Sequence, residues 1–246
     1  MVTKVVPGLL IATPDAAQAS REACARIVRA IREALRDRGA ATIALSGGGS
    51  PLGAYRQLAA ETIDWSRVQV YWVDERAVPP DHPRSNYGAA KTALLDAIPI
   101  PAGNVHRMRG EAADLEAAAR EYDARLRDTV AEKVGGLPCL DLVVLGVGED
   151  GHTASLFPGE PTVGVTDRLV AAVPPAGGRE GRLTLTAPVL ESARATVVLV
   201  LGRDKHPALE RIWAVNGDLA ATPGRIIRNF RGSITWVIDR AAGGMG

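Results

Sequence analysis

Two residues that can move a proton near neutral pH, Asp150 and His152, stand two positions apart in the segment GVGEDGHTASLFPG (residues 146–159). The G-x-G-x-x-G spacing of its glycines allows two interpretations, a dinucleotide-binding fingerprint or a turn that presents His152. A fingerprint opens a long helix and is followed by an acidic residue roughly 20 positions on. Here Phe-Pro-Gly at 157–159 ends any helix within about two turns, so the dinucleotide interpretation fails. A lone histidine is more often structural, but one placed between glycines after an apolar run favours a general base, with Asp150 to fix its tautomer.

A run of glycines forms a second candidate site in the segment SGGGSP (residues 46–51). It follows the apolar run ATIAL and precedes a predicted helix, so its backbone N–H groups can converge on an anion beside the positive end of the helix dipole. The alternative is a tight strand-to-helix turn with Ser50 as the helix cap, and the segment lacks the lysine of a P-loop. The candidate phosphate-binding residues are Gly47, Gly48, Gly49 and Ser50.

A charged triplet, Asp74, Glu75 and Arg76, stands at the end of the apolar run VQVYWV. Charged side chains at the carboxyl end of a strand face a cleft more often than a core. The alternative is a structural ion-pair cluster in which Arg76 neutralises its two neighbours. The triplet alone leaves both interpretations open.

Composition excludes several classes of protein. The 246 residues are 46% hydrophobic and 23% charged with a net charge of +1, which indicates a single folded domain over residues 1–246. No basic run points to nucleic acid, and no apolar stretch reaches the roughly 18 residues of a membrane span. Cys24 and Cys139 stand far apart and the histidines lack paired metal-ligand spacing, so we expect no metal, no cofactor and a reducing, cytoplasmic location. The oligomeric state is left open, and a monomer is compatible with the sequence.

Short apolar runs alternate with longer amphipathic ones, which predicts an α/β protein: a three-layer α/β/α Rossmann-like domain with a mostly parallel sheet. The predicted strands cover residues 8–12, 41–45, 68–73, 104–108, 140–145, 169–173, 196–201 and 234–238. The predicted helices cover residues 15–38, 51–60, 85–97, 111–133 and 205–215. The Pro/Gly-rich stretch at 174–182 is a candidate lid or ligand loop. Loops after the carboxyl ends of the strands are where such folds bind ligands, and all three candidate segments lie there.

Taken in order, SGGGSP (46–51), VDERAVPPDHPRSNYG (73–88) and LGVGEDGHTASLFPG (145–159) resemble the 6-phosphogluconolactonase family, which is related to the glucosamine-6-phosphate isomerases and deaminases. RLTLTAPVL (182–190) and VVLVLGRDKHPAL (197–209) fit later blocks of the same family, so the resemblance covers nearly the whole chain. It implies a Rossmann-like fold and hydrolysis of 6-phospho-D-glucono-1,5-lactone to 6-phosphogluconate, the second step of the oxidative pentose phosphate pathway.

Matched residue by residue, the resemblance implies roles for individual side chains. The backbone of residues 47–50 would bind the substrate phosphate, with Arg182 and Lys205 as cationic partners. The catalytic neighbourhood would be formed by Asp74, Arg76, Asp150 and His152. We expect neutral His152 to take a proton from the water that attacks the lactone carbonyl, while Arg76 faces the oxyanion or the sugar hydroxyls.

Two positions matter for the choice within the family. A serine is usual where this chain has Gly49, which removes one hydroxyl contact but leaves the backbone amides. The related deaminases place a glutamate five positions after the histidine, where this chain has Phe157, and a phenyl ring cannot transfer protons. Ester hydrolysis is therefore favoured over an amino-sugar-phosphate deaminase. Intact Asp150 and His152 also argue against a third possibility, a catalytically silent phosphosugar-binding protein.

Overall fold

The computed structural model describes residues 3–245 and contains a central parallel sheet flanked by helices. The strands, in chain order, are β1 (Leu9–Thr13), β2 (Ala41–Leu45), β3 (Val68–Trp72), β4 (Asp74–Arg76), β5 (Lys133–Val134), β6 (Leu137–Pro138), β7 (Leu142–Leu145), β8 (Val170–Val173), β9 (Arg182–Leu185), β10 (Ala195–Val200) and β11 (Ser233–Asp239). The α-helices are α1 (Ala16–Arg38), α2 (Gly49–Leu58), α3 (Asn86–Ala93), α4 (Leu115–Thr129), α5 (Ala187–Ser192) and α6 (His206–Trp213). Short 3-10 helices cover Trp65–Arg67, Leu95–Ala97, Ala102–Asn104, Pro161–Gly164, Arg203–Lys205 and Pro223–Asn229.

Six parallel strands form the main sheet, in the order β1-β11-β10-β7-β2-β3. All four residues of β7, LVVL, are buried, as expected of a strand covered by helices on both faces. The predicted fold class is confirmed, and all six strands of this sheet are found within two residues of their predicted bounds. Because β2 and β7 are neighbours, the glycine loop after β2 and the histidine loop after β7 leave the sheet side by side.

Helix α1 shows how closely local signals determine an element. Its buried stripe includes Ile27 and Ile31, four positions apart. Asp15 caps the first turn by accepting from the Gln18 amide at 2.7 Å. Gly39 ends the helix with a φ of 77°, in the left-handed region that favours glycine. The predicted helix at 15–38 is therefore confirmed.

A second, antiparallel sheet of three short strands, β4-β9-β8, stands beside the main one. The chain passes from one sheet to the other at Val73, whose amide donates to the Leu45 carbonyl of β2 while its carbonyl accepts from Leu185 in β9. The predicted strand at 169–173 belongs to this second sheet. The predicted loop at 174–182 is a hairpin connection, and its last residue, Arg182, is already the first residue of β9.

The predicted strand at 104–108 is wrong. This segment joins the main sheet only through an isolated bridge between Val105 and Val70, at which the His106 amide donates to the Val70 carbonyl at 2.8 Å. The chain then leaves the edge of the main sheet for β4, where a Cβ on Gly110 would lie 2.0 Å from the Arg76 carbonyl oxygen. The alternation NVHRM therefore marks a segment with buried positions that crosses between sheets, not a strand.

Several helix boundaries also need correction. The helix predicted at 111–133 is α4, shortened because Asp114 caps its first turn by accepting from the Ala117 amide at 3.0 Å. The helix predicted at 85–97 divides into α3 and a 3-10 turn. The short helix α5 was not predicted. None of the helices described in residues 3–245 combines the length and apolarity needed to cross a membrane.

Candidate active site

A cleft of about 240 Å³ opens at the carboxyl edge of the main sheet, between the glycine loop, β4 and the histidine loop. The predicted site residues that line it are Gly47, Gly48, Gly49, Ser50, Asp74, Arg76, His152 and Lys205. The remaining two predicted residues, Asp150 and Arg182, stand behind this lining and contact members of it. The structure thus brings the separate sequence segments together at one place.

His152 is held by its own turn. Its Nδ1 lies 2.6 Å from Asp150 Oδ1, which also accepts from the His152 amide at 3.0 Å. The Gly148 amide donates to the His152 carbonyl at 2.9 Å. A Cβ on Gly148 would lie 2.1 Å from the imidazole, so glycine is required there to make room for the ring. Gly148 of this segment therefore serves to place the His152 ring.

The Asp150–His152 contact determines which nitrogen is available for chemistry. Burial alone raises the pKa of Asp150, but the hydrogen bonds from the His152 ring and amide outweigh it, so the pKa is lowered. Asp150 is then a carboxylate that accepts from Nδ1–H. Neutral His152 consequently carries its proton on Nδ1 and presents Nε2 as a proton acceptor.

Asp74 is fixed by neutral donors. Its Oδ2 accepts from the Ser155 hydroxyl at 2.6 Å and its Oδ1 accepts from the Asn86 side-chain amide at 3.0 Å, and all three residues are buried. Within residues 3–245, Arg76 forms no ion pair with Asp74 or Glu75; its Nη1 donates to the Arg84 carbonyl instead. The structural ion-pair interpretation of the triplet is therefore not supported, and the Arg76 charge remains available to a ligand.

Glu75 has a structural role. Its carboxylate is buried and accepts from the backbone amides of Arg76, Asn86 and Tyr87 and from the Ser85 hydroxyl, at 2.7–3.0 Å. Burial raises the pKa of Glu75, while these backbone hydrogen bonds oppose the rise. The middle member of the triplet thus anchors the start of α3 and faces away from the cleft.

Two arginines stand side by side across the small sheet, because Arg76 of β4 pairs directly with Arg182 of β9. The Arg182 side chain is 12% exposed and its nearest carboxylate oxygen, Oε1 of Glu180, is 3.7 Å away. Its Nε and Nη1 are buried without a hydrogen-bond acceptor, as is Nε of Arg76. Burial, followed by repulsion from Arg76, lowers the pKa of Arg182. Buried guanidinium nitrogens that lack an acceptor mark a place that an anion would stabilise.

The glycine loop provides a second element that favours anions. Gly48 occupies the N-cap of α2 with a φ of 84°, and no side chain caps the helix. Ser50 lies inside the first turn, so the alternative in which Ser50 is the cap is wrong. Within the described chain, the amides of Gly48, Gly49 and Ser50 donate to no protein acceptor. These amides are free to bind a phosphate at the positive end of the helix.

The glycines of this loop should differ in their tolerance of a side chain. A Cβ on Gly47 would lie 1.7 Å from Asn86 Oδ1, so Gly47→Ala must displace Asn86 from Asp74. We expect this variant to lose about 1–3 kcal/mol of stability and most of its turnover. Gly49→Ala is the matched control, because its Cβ would meet nothing within 4 Å, and we expect equal or slightly greater stability. Thermal unfolding and steady-state kinetics check both, and an unaffected Gly47→Ala would contradict the packing argument.

Lys205 closes the cleft at the start of α6. Its Nζ lies 2.9 Å from Asp204 and 3.2 Å from Glu149, and its side chain is 20% exposed. Burial lowers the pKa of Lys205, but the hydrogen bonds to these two carboxylates outweigh it and the pKa is raised. The ammonium group is therefore charged where a substrate anion would arrive.

Sequence reasoning missed two residues of the site. Ser155 and Asn86 hold Asp74 through buried hydrogen bonds, yet neither carries a signal of its own beyond its nearness to a candidate motif. Asn86 is the first residue of α3, and the N-cap of that helix is Ser85, whose hydroxyl accepts from the Gly88 amide at 3.0 Å. In residues 3–245, no group of three or more His, Cys, Asp or Glu is arranged to hold a metal ion.

Comparison with known proteins gives a consistent result. Residues 14–236 match the family described as Glucosamine-6-phosphate isomerases/6-phosphogluconolactonase. A 6-phosphogluconolactonase of Synechocystis sp. is 42% identical over 215 residues, which are 87% of this chain and 88% of the relative. A 6-phosphogluconolactonase of Streptomyces coelicolor is 35% identical over 248 residues, covering 95% of this chain and 92% of the relative. Among solved structures, the 6-phosphogluconolactonase from Trypanosoma cruzi matches with a TM-score of 0.86 at 28% identity, over 99% of this chain and 98% of that one.

Proposed function

Because the chain belongs to the glucosamine-6-phosphate isomerase/6-phosphogluconolactonase family, we infer that it is a 6-phosphogluconolactonase, an enzyme that hydrolyses 6-phospho-D-glucono-1,5-lactone to 6-phosphogluconate. The observation that carries this proposal is the single cleft in which a histidine with a free Nε2 faces a loop of free amides and neighbouring cations. A phosphorylated sugar lactone needs both features, an anchor for its phosphate and a base for water.

The chemical step rests on His152. Nε2 takes a proton from a water molecule as the water oxygen bonds to the lactone carbonyl carbon, C1, and the carbonyl becomes a tetrahedral oxyanion. When the oxyanion collapses, the bond from C1 to the ring oxygen breaks and the imidazolium returns the proton to that oxygen. The products are a hydroxyl group and a carboxylic acid, which loses its proton to solvent. Asp150 keeps Nδ1 protonated and oriented throughout.

The phosphate lies at the other end of the cleft. The free amides of the loop at 47–50 bind its oxygens, and Lys205 and Arg182 provide charge. Because the phosphate is remote from C1, its binding energy orients the lactone carbonyl near His152. Arg76, between the two ends, faces the developing oxyanion or the sugar hydroxyls, and Asp74 is held in place to accept from a sugar hydroxyl.

Phe157 favours hydrolysis over deamination. Its ring is 8% exposed and lies with its centroid 4.5 Å from that of His152. A buried phenyl ring beside the base can neither donate nor accept the protons that opening an amino-sugar ring requires. We therefore expect no ammonia release from glucosamine 6-phosphate.

The test of the reaction is the decay of freshly generated 6-phosphogluconolactone with and without the protein, after subtraction of spontaneous hydrolysis. Acceleration that saturates with substrate supports the proposal. If a folded sample does not accelerate the decay, the lactonase assignment falls. Ammonia release from glucosamine 6-phosphate would then indicate the deaminase, and phosphosugar binding without turnover the silent binding protein.

Lys205→Ala should chiefly raise KM. Removal of an ammonium group that hydrogen-bonds a phosphate is expected to raise KM about tenfold, with a much smaller change in kcat, because the lysine does not touch the reacting carbon. Arg203→Ala is the matched control, since Arg203 is exposed in the same 3-10 helix and lines no part of the cleft. Equal KM values for the two variants would remove Lys205 from the phosphate site.

The location and further partners remain proposals. A reducing, cytoplasmic location is supported by Cys24 and Cys139, which are both buried and unbonded. A small phosphosugar is the proposed partner, and the near-neutral net charge of +1 gives no support for nucleic acid.

A further inference from the structure

The Phe157 ring contacts both the proposed base and a cation. Its centroid lies 4.5 Å from that of His152, with the two rings tilted by 46°. Arg179 also stacks on the Phe157 ring, with the guanidinium carbon 3.7 Å from the centroid. Neither Phe157 nor Arg179 lines the cleft. The three side chains therefore form a stack of contacts that runs from Arg179 through Phe157 to the tilted imidazole.

Two opposed reverse turns build this stack. Arg179 follows the tip Gly177-Gly178, whose φ values of 57° and 79° fit the two-residue turn of a hairpin that only glycines adopt readily. Phe157 opens the other turn, in which the Glu160 amide donates to the Phe157 carbonyl at 3.2 Å. The turns are joined by the Arg179 Nη2, which donates to Glu160 Oε1 at 2.8 Å. Both side chains of this ion pair are 19% exposed.

His152 needs such support because a single hydrogen bond does not fix a ring. The contact with Asp150 holds Nδ1, but the ring plane can still tilt about that bond, and tilting moves Nε2 relative to the water it must deprotonate. Contact with the tilted Phe157 ring limits this movement, and the Phe157 ring is in turn held by the guanidinium that stacks on it.

We propose that Arg179 is a positioning residue for His152, which acts through Phe157 and touches neither the substrate nor the reacting atoms. The proposal rests on the proposed function of His152 as the general base. The hairpin at 174–181 thereby has a role in catalysis without closing over the substrate. A planar guanidinium is suited to this role, since lysine cannot stack flat on a ring and bind a carboxylate at the same time.

Arg179→Met tests the proposal, because methionine keeps an unbranched side chain and loses the planar charge. We expect kcat to fall roughly tenfold with KM unchanged. Phe157→Leu should lower kcat at least as much, and the double variant should be no worse than Phe157→Leu alone, because both changes break the same stack. Arg168→Met, at an exposed arginine just before β8, is the matched control and should leave kcat unchanged.

An NMR measurement, which does not depend on turnover, complements the kinetic measurements. Because the Phe157 ring centroid lies 4.5 Å from that of His152, we expect its ring current to shift the NMR resonance of the His152 Cε1 proton. This resonance should move in Arg179→Met and stay in place in Arg168→Met. If Arg179→Met does not fold, Glu160→Gln replaces it, because it removes the ion pair while keeping the side-chain volume. Its kcat should also fall.

Four results would overturn the proposal: a normal kcat with an unmoved resonance, a loss confined to KM, losses that add in the double variant, or normal turnover in His152→Ala. The last result removes the base itself and so the proposed function. If any of the first three results is found while His152→Ala is inactive, His152 remains the base and only the positioning role of Arg179 is removed.

Discussion

His152→Ala is expected to lower kcat for 6-phosphogluconolactone about a thousandfold while KM changes little. The imidazole contributes to the proton transfers of attack and collapse, whereas binding depends on the glycine loop and the cations at the other end of the cleft. Residual turnover above the spontaneous rate should persist, since the anchors still hold the lactone beside Arg76.

The measurement is the decay of the lactone under single-turnover and steady-state conditions, with spontaneous hydrolysis subtracted. His82→Ala is the matched control, because His82 lies in a loop and lines no part of the cleft. The kcat of Asp150→Asn should lie between those of His152→Ala and His82→Ala. Asparagine keeps the shape of the contact at 2.6 Å but permits the wrong imidazole tautomer. A near-normal kcat in His152→Ala would show that another group activates the water.

Much of this site could be predicted from sequence because its chemistry is carried by loops that follow buried strands. The runs ATIAL and LDLVVL mark two strands by composition alone, and parallel strands present the loops after them at the same edge. The residues between Gly146 and Gly151 could be assigned to a turn because Pro158 excludes the long helix of a nucleotide site. The structure adds the reason for one glycine, Gly148, against which the imidazole packs.

The small sheet could be predicted only in part: β8 is expected at 169–173, but β4 and β9 are not, and nothing in the sequence indicates that the three strands pair. Asp-Glu-Arg at 74–76 is a strand only because β9 pairs with it, and that pairing brings Arg76 beside Arg182, more than a hundred positions away in the chain. The opposite error occurred at 104–108, where local alternation suggested a strand but the chain turns away after one bridge. Tertiary pairing decides both cases.

Arg182→Met should weaken substrate binding and, at the same time, stabilise the folded protein. The guanidinium is buried and two of its nitrogens lack acceptors, so its loss should raise KM by about ten- to a hundredfold, the range for a hydrogen bond to a charged group. The same loss should stabilise the unliganded protein by about 1 kcal/mol. The lowered pKa of Arg182, caused first by burial and then by the Arg76 charge, has the same meaning: the folded protein holds this cation less favourably than water does.

Thermal unfolding with and without 6-phosphogluconate measures both effects in one experiment. The melting temperature of the wild-type protein should rise with ligand concentration, because the ligand binds only the folded state. Arg182→Met should have a higher melting temperature without ligand and a smaller increase with ligand. Arg120→Met, at an exposed helix position, should match the wild type in both respects. If Arg182→Met is less stable and binds the ligand normally, the orphaned donors are satisfied within the protein, and the buried arginine is structural. If it is more stable and binds poorly, the cation is kept at a cost to the fold because the substrate anion supplies its missing partner.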